Sequence, residues 1–70
     1  MSIPEREMLV VLNSLRVSDL LLAMESALSS HFGHSSDMLS MLSNQRLVDT
    51  YCDAWGLGED TKAVLLERIR

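Results

Sequence analysis

Two stretches of the chain are apolar without interruption, Met8 to Leu12 and Leu20 to Met24. Elsewhere apolar residues recur at helical spacing, and no stretch alternates with the period of two that a strand needs. The pattern predicts an all-α fold, a compact bundle of four or five short helices, in one domain over residues 1–70. The first helix opens at Ser2-Ile3-Pro4-Glu5, which fits a capping box with Pro4 in the first turn and Glu5 reaching back to Ser2. It runs to about Ser14, with Met8, Val11, Leu12 and Leu15 as its core face. Leu9 and Val10 fall outside that face.

Polar residues from Asn13 to Ser18 favour a break, with Ser18 as the next cap and Asp19 in the first turn. One continuous helix over 3–31 is also sterically allowed. The second helix spans Asp19 to about His31 and stops at Gly33. Its core positions are Leu20 or Leu21, Met24, Ala27 or Leu28, and His31 or Phe32. A third, two-turn helix carries Met38, Leu39, Met41 and Leu42. The fourth begins at Ser43-Asn44 and bears the clearest stripe: Leu47, Val48, Tyr51, Cys52 and Trp55. Trp55 is therefore expected in the core. Gly56-Leu57 reads as a Schellman ending. Gly58-Glu59-Asp60 then opens a fifth helix whose face is Val64, Leu65 and Ile69, with Leu66 beside them.

Size changes how these stripes are read. With 70 residues, the chain buries only about 60% of its unfolded surface. At most one helix can be central, so two helices that are apolar nearly all round must leave apolar surface uncovered. That surface is expected on helices 1 to 3, with Leu9, Val10, Leu22, Met38 and Met41 as the partner-binding residues. A partner helix, a second copy of the chain, or both in exchange are the candidates to cover it. Methionine, adaptable in shape, suits such a surface.

Composition narrows the function classes. The apolar share is 47%, ordinary for a folded domain. No apolar run nears the roughly 18 residues that span a bilayer, and acids near the N-terminus do not fit a signal peptide. One cysteine permits no internal disulfide and suits a reducing compartment. The expectation is a cytoplasmic protein.

No catalytic, cofactor or metal site is expected. His31 and His34 flank a helix end without the further ligands zinc requires. Cys52 sits beside Asp49 and Asp53 on an apolar stripe, which opposes thiolate chemistry. No nucleophile, base and orienting group come together, so an enzyme is not expected.

The formal charge of −4 and six scattered basic residues argue against nucleic acid. Two local patterns nonetheless touch DNA-binding families. Cys52, Gly56 and Leu57 occupy helix-turn-helix positions, until Lys62 falls where an apolar residue belongs. Gly56-Leu57, Thr61-Lys62-Ala63, Leu65 and Glu67-Arg68-Ile69 resemble the second half of a SAP domain. The spacer is a residue short, and Asp60 replaces the usual glycine. That resemblance implies a small DNA-binding regulator using the last two helices, and it requires Arg46, Lys62, Arg68 and Arg70 to converge on one face. The leading expectation is instead a non-catalytic interaction module. It is a small regulator of the antiactivator, inhibitor or adaptor type, binding a protein partner through an apolar helical groove.

Overall fold

Helix α1 (Glu5–Asn13) is too short to hold itself together in water, and its placement depends on what it touches. The computed structural model describes residues 4–70. Four more helices follow among them: α2 (Val17–Phe32), α3 (Ser36–Ser40), α4 (Asn44–Trp55) and α5 (Glu59–Arg68). The architecture is an all-α bundle. None of these helices is long and apolar enough to cross a membrane.

The capping chemistry explains most boundaries. Ser43 Oγ accepts the Arg46 N–H at 3.2 Å and starts α4. Gly33 and Gly56 end α2 and α4 with φ of 70° and 68°, a left-handed conformation that costs a glycine little. After Gly56, the Leu57 N–H donates to the Cys52 carbonyl at 2.9 Å, closing the Schellman turn.

Other starts differ from the sequence reading. The break between α1 and α2 exists, but Arg16 rather than Ser18 occupies the N-cap of α2. Ser2 lies outside the described residues. Pro4 caps α1, and Glu5 reaches across to α5 instead of back along its own helix.

Helices α2 and α4 form the main packed pair, with α5 against α4 and α3 against α2. Leu20, Met24 and Leu28 from α2 meet Val48, Tyr51 and Cys52 from α4, with Leu39 and Leu65 completing the centre. Leu20 and Leu28, not Leu21 and Ala27, are the fully buried members of the alternatives. His31 and Phe32 stay exposed at the end of α2.

Two further expected core residues are outside it. Val11 is 60% exposed, while Leu9 packs partly buried against the core. On α5 the buried face is Thr61 and Leu65, and Val64 is exposed. Both helices are thus rotated from the phase their apolar residues suggest.

The cause is a pair of polar clamps between α1 and α5. At one end Glu5 accepts the Gly58 N–H at 3.1 Å and the Thr61 hydroxyl at 2.5 Å. A carboxylate from α1 thereby caps α5, whose own N-cap glycine offers no side chain. At the other end Arg68 donates to the carbonyls of Leu12 and Asn13, at the end of α1, and of Leu15 in the turn that follows. N-terminus lies beside N-terminus and C-terminus beside C-terminus, so α1 and α5 run parallel. Between the clamps Tyr51 Oη donates to Met8 Sδ at 3.3 Å, a buried contact from α4 to α1.

These clamps predict a pH dependence. Thr61 and then Gly58 hold the Glu5 carboxyl below its ordinary range, and Lys62 does the same to Asp49. A carboxylate depressed on folding adds stability above its unfolded pKa and loses it as pH falls through the folded value. The urea midpoint should therefore fall from roughly pH 5 to pH 3. Glu5→Gln should flatten that slope and lower the midpoint at neutral pH. An unchanged slope in Glu5→Gln would assign the acid sensitivity elsewhere.

Candidate interaction groove

The outer side of α5 is shallowly concave beside the end of α1. A groove of about 560 Å³ lies there, lined by Asn13, Ala63, Val64, Glu67 and Arg68. Its lining follows from helical spacing. Asp60, Ala63, Val64 and Glu67 stand at i, i+3, i+4 and i+7 and share one side of α5, all of them exposed. On α1 the same spacing ending at Asn13 gives Arg6, Leu9 and Val10. Leu9 is half-buried, Val10 is 66% exposed, and Arg6 is exposed. Each stripe therefore has two apolar residues between polar ends.

The five residues expected to bind a partner divide between this groove and other surfaces. Leu9 and Val10 stand on the α1 stripe that ends at Asn13, the α1 residue that lines the groove. Leu22, 64% exposed, borders a separate cleft with Glu25, Ser26, Ser29, Ser30 and Ser36. Met38 and Met41 are exposed on α3 and its C-cap, and line neither depression. The α5 half of the groove is missing from the sequence reading, which places Val64 in the core. A usable signal exists. Val64 and Leu65 are adjacent and cannot both face inward squarely, and Thr61 lies one turn before Leu65.

The basic residues of the last two helices are largely engaged within the chain. Lys62 forms an ion pair with Asp49 across α4 and α5. Arg68 turns toward α1, and its Nη1 also meets Asn13 Oδ1 at 3.2 Å. Arg70 pairs with Glu67 at 3.6 Å on the surface. Arg46 and Lys62 share one cleft, but Asp49 lies in it with them.

Cys52 is buried on α4. Burial pushes its thiol up to about 11, with Lys62 opposing and Asp49 and Asp53 adding to the rise. The thiolate is the reactive form, so native protein should react with a thiol reagent far more slowly than urea-unfolded protein at the same neutral pH. Equal rates would show that the site opens readily. Among the described residues, no three His, Cys, Asp or Glu side chains form a metal-ligand group.

No family model, no curated protein and no solved structure matches this chain.

Proposed function

We propose that the chain is a non-catalytic interaction module, a small regulator of the antiactivator, inhibitor or adaptor type. It binds a protein partner by seating an apolar helix face in the α1–α5 groove. The observation that carries this reading is the groove lined by exposed Ala63 and Val64, with exposed Val10 on the α1 stripe that reaches it at Asn13. A foreign side chain entering there gains apolar contact from Ala63 and Val64 and meets Asn13, Glu67 and Arg68 at the C-terminal end. The charges weigh against the DNA-binding alternative. Lys62 is neutralised by Asp49, Arg68 faces α1, and Arg70 has Glu67 beside it, so few cations remain to displace counterions from phosphate.

The test is affinity capture from the native cell with three charge variants. Val10→Glu and Val64→Glu should shed the captured protein while keeping the wild-type circular dichroism. Leu22→Glu, outside the groove, should retain it. Capture unchanged by Val10→Glu and Val64→Glu would remove the groove as the binding surface.

A further inference from the structure

We infer that the groove is self-complementary and that a second copy of the chain covers it, with α1 of each copy lying along α5 of the other. This deepens the reading above and rests on the groove being an interaction surface. The two stripes complement each other level by level. From the N-terminal end, α1 presents Arg6, then Leu9 and Val10, then Asn13. In the same direction α5 presents Asp60, then Ala63 and Val64, then Glu67. The helices run parallel and in register, since Glu5 meets Gly58 and Thr61 while Asn13 meets Arg68. Cation therefore stands level with anion, apolar pair with apolar pair, and amide with carboxylate.

A two-fold axis along the helices places each stripe over its counterpart on the other copy. Arg6 then meets the other copy's Asp60 on both sides of the axis. Val10 packs on Val64, and Asn13 reaches Glu67. The polar groups are set for these contacts. Arg6 and Asp60 are exposed and form no ion pair within the chain among the described residues. Arg68 occupies Asn13 Oδ1, which leaves the amide nitrogen as the outward donor. Glu67 holds Arg70 through one oxygen only.

The other isologous arrangement, with the axis across the helices, stacks α5 antiparallel on α5. It sets Asp60 over Glu67 and Arg6 over Asn13. Like charges then meet on both sides and nothing answers the arginine. Charge thus selects the first arrangement, an isologous contact that closes on itself as a dimer. The dimer is the resting form, and a heterologous partner competes with the second copy for the same strip.

The experiment is sedimentation equilibrium on the full chain, with Arg6→Glu, Asp60→Arg and their equimolar mixture. Wild type should be dimeric at about 0.1 mM, a concentration well above the Kd of an ordinary specific interface. Each single variant sets like charges against each other twice and should associate at least about tenfold more weakly. In the mixture the glutamate introduced at position 6 of one variant faces the arginine introduced at position 60 of the other, and the native pair forms on the second side. Dimer should return, as heterodimer. Circular dichroism of each variant should match wild type, since both positions are exposed.

A monomeric wild type overturns the inference. So does a dimer indifferent to both variants, or a mixture that stays dissociated. The capture experiment separates this failure from that of the functional reading. If wild type is monomeric while Val10→Glu still sheds its partner, the dimer falls and the groove stands. If Val10→Glu and Val64→Glu shed nothing and the charge variants change nothing, both fall.

Discussion

A Trp55→Ala variant is expected to lose about 3 kcal/mol of stability, the lower part of the range for removing a core aromatic, whereas Trp55→Phe should lose almost none. Trp55 closes the far end of the α4 stripe, where it meets the end of α2. Its ring stands edge-on to Phe32, with centroids 5.0 Å apart at 89°, and to His31 at 5.9 Å and 64°. Tyr51 flanks it at 6.3 Å. Edge contacts of this kind add about 0.5–1.5 kcal/mol each to simple burial. Part of the residue remains open to solvent, which is why the lower figure applies. The sequence stripe alone implies fuller burial.

The phenylalanine expectation comes from the indole nitrogen. Nε1 is buried without a hydrogen-bond partner, and an orphaned donor costs about 1–3 kcal/mol. Phenylalanine removes that cost along with some ring area, so gain and loss nearly cancel. A chain of this length has a total stability of only about 4–10 kcal/mol, so the alanine change should visibly lower the urea midpoint followed by circular dichroism. A phenylalanine variant as damaged as the alanine variant would show that the N–H contributes a bond. Wild-type fluorescence should be blue-shifted from free tryptophan, because water does not reach Nε1.

What can be read from the sequence follows the range of the interactions involved. Ser43, Gly33 and Gly56 mark ends through local chemistry, and their roles are visible in a few neighbouring residues. The α4 stripe is visible for a similar reason: polar residues bound it on both sides, so only one rotation buries Leu47, Val48, Tyr51 and Cys52. Helices α1 and α5 lack that constraint. From Met8 to Leu12 every residue is apolar, and Val64, Leu65 and Leu66 are consecutive. More than one rotation of each helix turns apolar residues inward, so apolarity alone does not choose between them.

The choice between those rotations is made by Glu5 with Thr61 and by Arg68 with the end of α1, bonds between residues more than 50 positions apart. No periodicity reports such pairs. The same fact decides how much of the groove is legible. Excess apolar surface around Leu9 and Val10 follows from counting faces in a small domain. The opposing strip on α5 appears only once Thr61, not Val64, is known to turn inward.

Replacing Arg68 by alanine is expected to cost about 2 kcal/mol, the scale of hydrogen bonds from a charged donor, and to release α1 from the rest of the fold. The last carbonyls of a helix have no intrahelical partner and carry the negative end of its dipole. One guanidinium serves the end of α1: Nη1 reaches the Asn13 carbonyl at 3.0 Å and its Oδ1 at 3.2 Å, while Nη2 reaches the Leu15 carbonyl in the turn beyond. A nine-residue helix cannot persist alone, and its other attachments include Glu5, Met8 with Tyr51, and the packing of Leu9 and Leu12 on the core. Arg68→Lys should recover only part of the loss, because an ammonium cannot spread donors over separate carbonyls as the planar fork does. Amide exchange should locate the damage. Protection in α1 should fall markedly in Arg68→Ala, while Val48 to Cys52 in α4 keeps most of its protection, since local opening need not unfold the centre. Binding that depends on Val10 should fall with it, because α1 carries Val10 and brings Asn13 to the groove. If α1 keeps its protection in Arg68→Ala, the clamp does not hold the helix, and the core contacts of Met8 and Leu12 suffice.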